Sequence, residues 1–381
     1  MSKKIAIIGA YNVPNFGDQL LLKVFIDKLS TIDPSLRFIV PFCGDSIEQL
    51  ENVDYGGGYV ALEKADMAIF GGGGFFGETP KYKGEVKQFG NILDKNADFW
   101  FFKAVGLSRF LGNGRPLRVS TLSFFNYFKI SNFCKKKNID SFILGTGFGP
   151  VTTSIGNYLL KRIVNNAKLV FLRDQESVDF ATECCGGNDI NLTSDIVLSL
   201  INENIVKPKK KTLDRIGLHL GQLTSEKEID VVRTLCTYLS EQNYSVTMVM
   251  DNFDETELLI SKKIADQYSF KLKEYNNSIS DFIESYVDLD IVITTKLHAG
   301  ILGYTAGVVP ISLPAHPKSK RFYDQIGMSD HCLELSKIGV INCIELLKSF
   351  NNDKVFELMN AERKSVYDLQ QKMYTAIVDY F

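Results

Sequence analysis

Five cationic or titratable side chains lie where predicted strands give way to helices. Arg173 follows the apolar run KLVFL, and Lys296 and His298 occupy the turn between DIVITT and the small-residue segment AGILGYTAG. Lys318 and Arg321 come before the next predicted helix. The planar fork of arginine suits carboxylate or phosphate oxygens, and lysine adds a mobile positive charge. Together these residues predict a cationic pocket for a small anion.

His298 is predicted to stand at the N-terminus of a helix. The helix dipole disfavours a charged imidazolium there unless an anion is close, and a bound phosphate would supply that anion. The alternative is a neutral core histidine that hydrogen-bonds to the backbone. For Arg173 the alternative is an ion pair with Asp174 or Glu176.

Two glycine-rich turns follow apolar runs in the first half of the chain. DMAIFGGGGFFGE, residues 66–78, contains Gly72 and Gly73, and GTGFGPVTTS, residues 145–154, contains Gly147. Glycine allows a ligand to approach the backbone closely, and exposed N–H groups can surround an anion. The second turn also ends in Thr and Ser before a helix, whose dipole can hold an anion.

Asp18 lies in an earlier turn, GAYNVPNFGDQLL, residues 9–21. This turn lacks the G-x-G-x-x-G spacing of dinucleotide sites, so NAD binding is disfavoured. Asp18 is expected either to cap the following helix or to project into a cleft and accept a proton from a neutral hydroxyl substrate. Glu78 is a second candidate for that proton acceptor.

The elements that position these residues alternate between short apolar runs and helical patterns. This alternation predicts parallel sheets covered by helices, that is, an α/β fold. We expect an N-terminal domain over residues 1–203, a C-terminal domain over 212–352, and a polar linker near 201–214. The C-terminal helical run, 353–381, is expected to pack back across both domains. Ligands of such folds bind in the cleft at the carboxyl ends of the strands.

Residues 98–137 interrupt the pattern with eight basic residues against the single acidic residue Asp98, a net charge of +7, and ten aromatic residues. One interpretation is an insertion whose aromatic side chains pack on the first domain while its basic groups are solvated. The other is a surface that contacts an anionic membrane or a lipid-linked substrate.

Composition excludes several classes of protein. The net charge of −2 argues against nucleic acid as a partner. No apolar run reaches the roughly 20 residues of a membrane-spanning helix, and the N-terminal apolar run is too short for a signal peptide. The seven cysteines show no metal-ligand spacing, so reduced thiols, a cytoplasmic location and no bound metal are expected.

Seven motifs follow one another along the chain: NFGDQLLL, FGGGGFFGE, ILGTGFGP, FLRDQESVDFA, SDIVLSL, IGLHLGQ and TTKLHAGILGYTAGVVPISLPAHPKSK. In this order they resemble the polysaccharide pyruvyl transferase family over about residues 4–330. The resemblance implies two Rossmann-like domains arranged as in GT-B glycosyltransferases. It also implies transfer of a pyruvyl group from phosphoenolpyruvate to a sugar hydroxyl pair of a cell-surface polysaccharide or its lipid-linked precursor.

The resemblance implies roles for Arg173, His298 and Lys318, which match the family's donor-binding or catalytic positions. Lys296 stands where the family usually has Arg, which keeps the charge but loses the fork. With Asp18 as the candidate proton acceptor, the expected catalytic residues are His298 and Asp18, and the direction of proton transfer among His298, Asp18 and Glu78 is left open. No cofactor is expected beyond phosphoenolpyruvate as the donor. The expected donor-binding residues are Arg173, Lys296, Lys318, Arg321, Gly72, Gly73 and Gly147.

Two other functions fit the same pattern. A nucleotide-sugar-dependent glycosyltransferase or epimerase uses the same shape, but it needs a carboxylate for the ribose, and the sequence has no acidic residue between Asp290 and Asp324. A catalytically silent scaffold of the same pathway is the second alternative. An enzyme at the inner face of the membrane is expected if the insertion at 98–137 contacts lipid.

Overall fold

The computed structural model describes residues 2–11, 15–44, 47–73, 76, 119–149, 151, 154–186, 189–201, 214–221, 223, 225–251, 254–275, 278–314, 318–350 and 352–381. Two parallel sheets organise these residues, one in each half of the chain. The predicted α/β class with two parallel sheets is confirmed.

The first sheet has seven strands in the order β3-β2-β1-β4-β5-β6-β7. The strands are β1 (Lys4–Ile8), β2 (Arg37–Val40), β3 (Val53–Tyr55), β4 (Met67–Gly71), β5 (Asp140–Thr146), β6 (Ala167–Leu172) and β7 (Ile190–Leu192). Its helices are α1 (Phe16–Ile32), α2 (Gly58–Leu62), α3 (Val119–Lys137), α4 (Ser154–Asn166) and α5 (Gln175–Cys185). The central strands are continuously apolar because both faces of the sheet are covered.

The second sheet has five strands in the order β10-β9-β8-β11-β12. They are β8 (Arg215–His219), β9 (Ser245–Met250), β10 (Lys271–Glu274), β11 (Ile291–Thr294) and β12 (Val309–Ser312). The helices are α6 (Glu226–Glu241), α7 (Glu255–Tyr268), α8 (Ile279–Val287), α9 (Leu297–Thr305), α10 (Lys318–Gln325) and α11 (Lys337–Ser349). All strand pairs are parallel, so the carboxyl ends of the strands share one edge.

The C-terminal region forms two helices, α12 (Asn352–Ala361) and α13 (Arg363–Val378), where the sequence predicts one helical run. They separate at Glu362, which lies between the two helices (φ −98°, ψ 0°). Helix α13 packs on the first domain: the ring of Tyr374 lies 6.2 Å from that of Phe25 between centroids. The last helix therefore returns from the second domain to the first.

Only residues 119–137 of the basic, aromatic segment 98–137 lie among the described residues, as helix α3. Phe125, Ile130 and Cys134 are buried against the first sheet and its helices. The aromatic face of this helix thus serves the core of the first domain. None of the helices in the described part of the chain combines the length and apolar character that a membrane crossing requires.

Candidate functional site

The N-terminus of helix α1 brings Asp18 into the space between the domains. Asn15 caps this helix by accepting a hydrogen bond from the N–H of Gly17 at 2.8 Å. The expectation that Asp18 caps this helix is therefore wrong, because the N-cap is Asn15, three residues earlier, and Asp18 lies within the first turn. Burial raises the pKa of the Asp18 carboxyl to about 6, although the positive charges of Lys318 and Arg173 oppose this shift.

Arg173 follows strand β6 and is almost fully buried, with 6% of its surface exposed. Its Nη1 donates to Oδ2 of Asp195 at 3.1 Å, and its Nε lies 3.6 Å from Oδ2 of Asp174. The guanidinium thus has a carboxylate partner that the sequence analysis did not assign. Asp195 lies in the motif SDIVLSL, where its chemistry gave no separate signal.

The glycine turns give the guanidinium of Arg173 its space. A Cβ at Gly147 would lie 2.8 Å from Nε of Arg173. The N–H of Gly147 donates to the carbonyl of Gly73, and the N–H of Gly72 donates to the carbonyl of Leu144. Gly72 and Gly73 have φ values of 71° and 73°, which favour glycine. The N–H groups of Gly147 and Gly72 are therefore engaged with backbone carbonyls rather than directed at a ligand.

His298 is the second residue of helix α9 and reaches the same space from the second domain. Its Nε2 lies 3.8 Å from Oδ2 of Asp195 and has no hydrogen-bond partner among the described residues. Burial lowers the pKa of the imidazole to about 4, with the carboxylate of Asp195 opposing the shift and the charges of Arg173 and Lys318 adding to it. His298 is therefore neutral near pH 7, with a buried nitrogen available to a ligand.

Lys318 begins helix α10 and completes this group. Burial lowers the pKa of its ammonium to about 8, and the charge of Arg173 adds to this effect while that of Asp18 opposes it. A small cavity beside it is lined by polar side chains, Arg173, Asp174, Asp195, Lys318 and Gln325, and by apolar ones, Leu297, Ile301 and Phe322. We call Asp18, Arg173, Asp195, His298 and Lys318 the cleft site.

Lys296 does not share the contacts of the cleft site, although it lies only two residues from His298. Its Nζ is 2.6 Å from Oδ2 of Asp251 and 2.6 Å from Oε2 of Glu257. Burial would lower its pKa, but these two carboxylates hold the pKa above its usual value. Because the sequence has no acidic residue between Asp290 and Asp324, no carboxylate was predicted near this turn. This prediction is wrong, since Asp251 and Glu257 from other elements of the second domain lie against Lys296.

Arg321 connects the two domains. Its Nη1 donates to the carbonyl of Phe148 at 3.0 Å, and its Nη2 donates to Oε1 of Glu176 at 2.8 Å. On another part of the boundary, Oε2 of Glu48 accepts hydrogen bonds from the hydroxyl of Tyr275 and the N–H of Ile279. These contacts hold the cleft site between the domains.

Glu78 lies outside the described residues. Within the part of the chain that the structure covers, no three His, Cys, Asp or Glu side chains are grouped so that they could hold a metal ion. The cleft site itself brings together two cations, two carboxylates and an imidazole.

The fold is similar to that of nucleotide-sugar enzymes. One solved structure, "S. aureus MnaA-UDP co-structure", has a TM-score of 0.59 and 11% identity, with 94% of this chain and 91% of that chain covered. A putative UDP-N-acetylglucosamine 2-epimerase from Listeria monocytogenes has a TM-score of 0.58 and 11% identity, with coverage of 100% and 97%. These similarities define two Rossmann-like domains in a GT-B-type fold.

The family follows from the sequence itself. The model of the polysaccharide pyruvyl transferase family matches residues 15–317, so the chain belongs to that family. The chain has no match among the curated proteins. Membership confirms the predicted transferase class and supports a role in pyruvyl transfer during polysaccharide synthesis. The matched residues include Asp18, Arg173, Asp195 and His298 of the cleft site.

Proposed function

We propose that the protein transfers a pyruvyl group from phosphoenolpyruvate to a pair of hydroxyls on a sugar of a cell-surface polysaccharide or its lipid-linked precursor. The observation that carries this proposal is the convergence of Arg173, Lys318 and Nε2 of His298 on one buried space between the domains; no described residue hydrogen-bonds to this Nε2. Phosphoenolpyruvate carries a carboxylate and a phosphate on three carbons. A donor so small and so charged needs cations concentrated in a small volume.

The reaction protonates the methylene carbon of the donor, and the first sugar hydroxyl bonds to C2 and loses its proton. Phosphate then leaves as the bond between C2 and the phosphate oxygen breaks. The second hydroxyl bonds to C2, loses its proton and so closes the ketal. The two hydroxyl protons thus balance the proton gained by carbon and the proton carried away by phosphate. Arg173 and Lys318 are assigned to binding the carboxylate and the phosphate of the donor. Their positive charges stabilise the negative charge on the departing phosphate.

His298 and Asp18 are assigned complementary proton transfers. An anionic donor beside His298 raises the pKa of the imidazole from its value of about 4 and favours a proton on Nε2 for delivery to the donor. Asp18, with a pKa of about 6, is ionised near neutral pH and accepts a proton from the acceptor hydroxyl. Lys296 and Arg321, expected as donor ligands, are assigned by their ion pairs to holding the second domain and the domain boundary.

The rival donor is a nucleotide sugar. The names of two structural neighbours include UDP or UDP-N-acetylglucosamine, and here Asp251 and Glu257 lie against Lys296 at the start of α9. Both carboxylates are engaged by Lys296, which favours the small anionic donor over a ribose at that position. The choice is testable because transfer from phosphoenolpyruvate releases inorganic phosphate, whereas transfer from a UDP-sugar releases UDP.

The test is thermal stability with phosphoenolpyruvate or with UDP-sugars, followed by phosphate release in the presence of an acceptor glycan. A ligand that binds only the folded protein raises its Tm. We expect phosphoenolpyruvate to raise the Tm of wild type and of Arg162→Met, a control at an exposed arginine of α4. Arg173→Lys, which keeps a charge beside Asp195 but loses the fork, should lose most of the shift. A shift with a UDP-sugar and none with phosphoenolpyruvate would reject the proposal.

Contact with a lipid-linked acceptor at the inner face of the membrane is part of the same proposal. Lys135, Lys136 and Lys137 are exposed at the end of α3. Their replacement by Gln should weaken binding to vesicles that contain anionic lipid, since each basic residue near such a surface contributes about 1 kcal/mol. Unchanged vesicle binding would remove this helix end from the membrane contact.

A further inference from the structure

The turn that carries Asp195 is held by the last helix of the chain. Nε2 of Gln370, on α13, lies 2.8 Å from the carbonyl oxygen of Ser194, 2.9 Å from Oγ of Ser194 and 2.9 Å from the carbonyl oxygen of Asp195. Gln370 and Ser194 are fully buried and Asp195 is 3% exposed. An amide NH₂ group has two hydrogens, so Gln370 can satisfy adjacent backbone acceptors that water cannot reach.

The side chain of Asp195 is fixed by two hydrogen bonds. Its Oδ1 accepts a hydrogen bond from the N–H of Val197 at 3.1 Å. Its Oδ2 accepts from Nη1 of Arg173 at 3.1 Å and lies 3.8 Å from Nε2 of His298. A carboxylate has little freedom to adjust once its own backbone is fixed, so the position of the 194–195 backbone sets the distance between Asp195 and His298.

A second glutamine supports the same turn from the other side of the domain boundary. Nε2 of Gln325, on α10, donates to the carbonyl of Thr193 at 2.9 Å, and the hydroxyl of Thr193 donates to the carbonyl of Leu369 at 3.3 Å. Consecutive carbonyls at 193, 194 and 195 are therefore bound by side chains that lie beyond residues 15–317, the part matched to the family. The C-terminal helix is thus connected to the cleft site through a single turn.

We propose that Gln370 is a positioning residue for the cleft site, holding the Ser194–Asp195 turn so that the carboxylate of Asp195 lies between Arg173 and His298. Its effect on turnover rests on the proposed function, whereas its effect on His298 does not. Because His298 is neutral near pH 7, the carboxylate of Asp195 favours the tautomer that carries the proton on Nε2. Gln370 therefore helps to set which ring nitrogen of His298 holds the proton.

The experiment compares Gln370→Met, which keeps the shape but loses both donors, with Gln371→Met, its neighbour on α13. The ¹⁵N chemical shifts of the His298 ring, measured without substrate near pH 7.5, report the fraction of the Nε2–H tautomer. We expect Gln370→Met to lower that fraction, as Asp195→Asn does, and Gln371→Met to leave it unchanged. In turnover assays the kcat of Gln370→Met should fall by roughly tenfold or more, while its KM for the donor changes less, since the substitution impairs proton transfer.

A folded Gln370→Met protein with the wild-type tautomer fraction would overturn the proposal. If that variant does not fold, Gln370→Asn, which keeps an amide but shortens its reach by one methylene, carries the same expectation and the same contrary result. A changed tautomer in a protein that does not use phosphoenolpyruvate would support the positioning role and reject the proposed donor. An unchanged tautomer fraction with phosphoenolpyruvate turnover intact would reject the positioning role and support the proposed donor.

Discussion

Gly17 of the first domain lies directly against the imidazole of His298 in the second: a Cβ at Gly17 would be 2.0 Å from Nδ1 of His298. Real side chains do not tolerate such a distance, so the imidazole occupies space that only glycine leaves. Gly17 precedes Asp18 in the first turn of α1. The missing side chain therefore lets the histidine of one domain approach the carboxylate-bearing turn of the other.

Gly17→Ala should consequently displace His298 and open the cleft. We expect kcat/KM to fall by roughly 100-fold, because displacement of a catalytic group by about 1 Å can cost that much. The Tm should change by only a few degrees, since no core contact is lost. Gly300→Ala, on the same helix as His298, is the control. A Cβ at Gly300 would have the hydroxyl oxygen of Tyr323 as its nearest atom, at 3.0 Å. Activity of Gly17→Ala equal to that of the control would show that the imidazole can move without loss.

Lys296 is predicted to act on stability rather than on donor affinity. Lys296→Met leaves the carboxylates of Asp251 and Glu257 without their ammonium. Breaking a fully buried pair costs about 3–5 kcal/mol, and the partial exposure of Lys296 reduces this to about 2 kcal/mol. Calorimetry should show a lower Tm, while the dissociation constant of the donor changes by less than roughly threefold.

The matched variant for Lys296 neutralises its partners as well. Lys296→Met combined with Asp251→Asn and Glu257→Gln should recover much of the lost stability, because no uncompensated charge remains. A wild-type Tm in Lys296→Met, together with donor binding weakened more than roughly tenfold, would instead make Lys296 a donor ligand.

The architecture was readable from sequence because its strands are short apolar runs in regular alternation with helices. KIAIIGA, SFILGTG and KLVFLRD correspond to β1, β5 and β6, and their buried residues leave little choice of structure. Weaker strands such as β3 and β10, which carry polar residues, gave no comparable signal. Hydrophobic periodicity detects burial, and these edge strands are only partly buried or exposed.

The partners of the site residues could not be predicted in the same way. The residues at the strand ends were identifiable, but the direction of a long side chain depends on partners distant in sequence. Lys296 meets Asp251, 45 residues away, and Arg321 meets Glu176, 145 residues away. Asp195 is one of 45 acidic residues in the chain, and only the fold brings it between Arg173 and His298. The sequence predicts one pocket for all the cations, whereas ion pairs hold Lys296 and Arg321 outside the cleft site.

The pair between Arg321 and Glu176 should contribute to domain closure. Arg321 contacts Glu176 of the first domain at 2.8 Å, and the carboxylate of Glu176 is 65% exposed. An exposed pair is worth about 0.5–1 kcal/mol, so Arg321→Met and Glu176→Gln should each weaken donor binding roughly two- to fivefold. Isothermal calorimetry with phosphoenolpyruvate measures this change.

The double variant separates a contact between domains from direct donor binding. Arg321→Met with Glu176→Gln should bind the donor no more weakly than Arg321→Met alone, because the arginine substitution already removes the ion pair with Glu176. Lys320→Met, at an exposed position of the same helix, should bind like wild type. Donor affinity that falls in Arg321→Met but not in Glu176→Gln would show that this ion pair does not support donor binding.

The pH dependence of kcat/KM should be bell-shaped, with limbs near pH 6 and pH 8. On the acid side, Asp18 must be ionised to accept a proton, and burial places its pKa at about 6, so activity falls as pH drops through that value. On the alkaline side, Lys318 must be charged to bind the donor, and burial places its pKa at about 8, so activity falls as pH rises through that value. His298, with a pKa of about 4 in the free protein, stays neutral across this range.

Two substitutions assign the limbs. Lys318→Arg replaces a titrating ammonium by a group that stays charged, so the limb near pH 8 should move upward out of the measured range. The donor phosphate also titrates near pH ~6, so Asp18→Glu distinguishes the two sources of the acid limb. A limb that moves in Asp18→Glu belongs to the carboxyl, whereas one that stays in place belongs to the donor and removes Asp18 from its assigned role as the base.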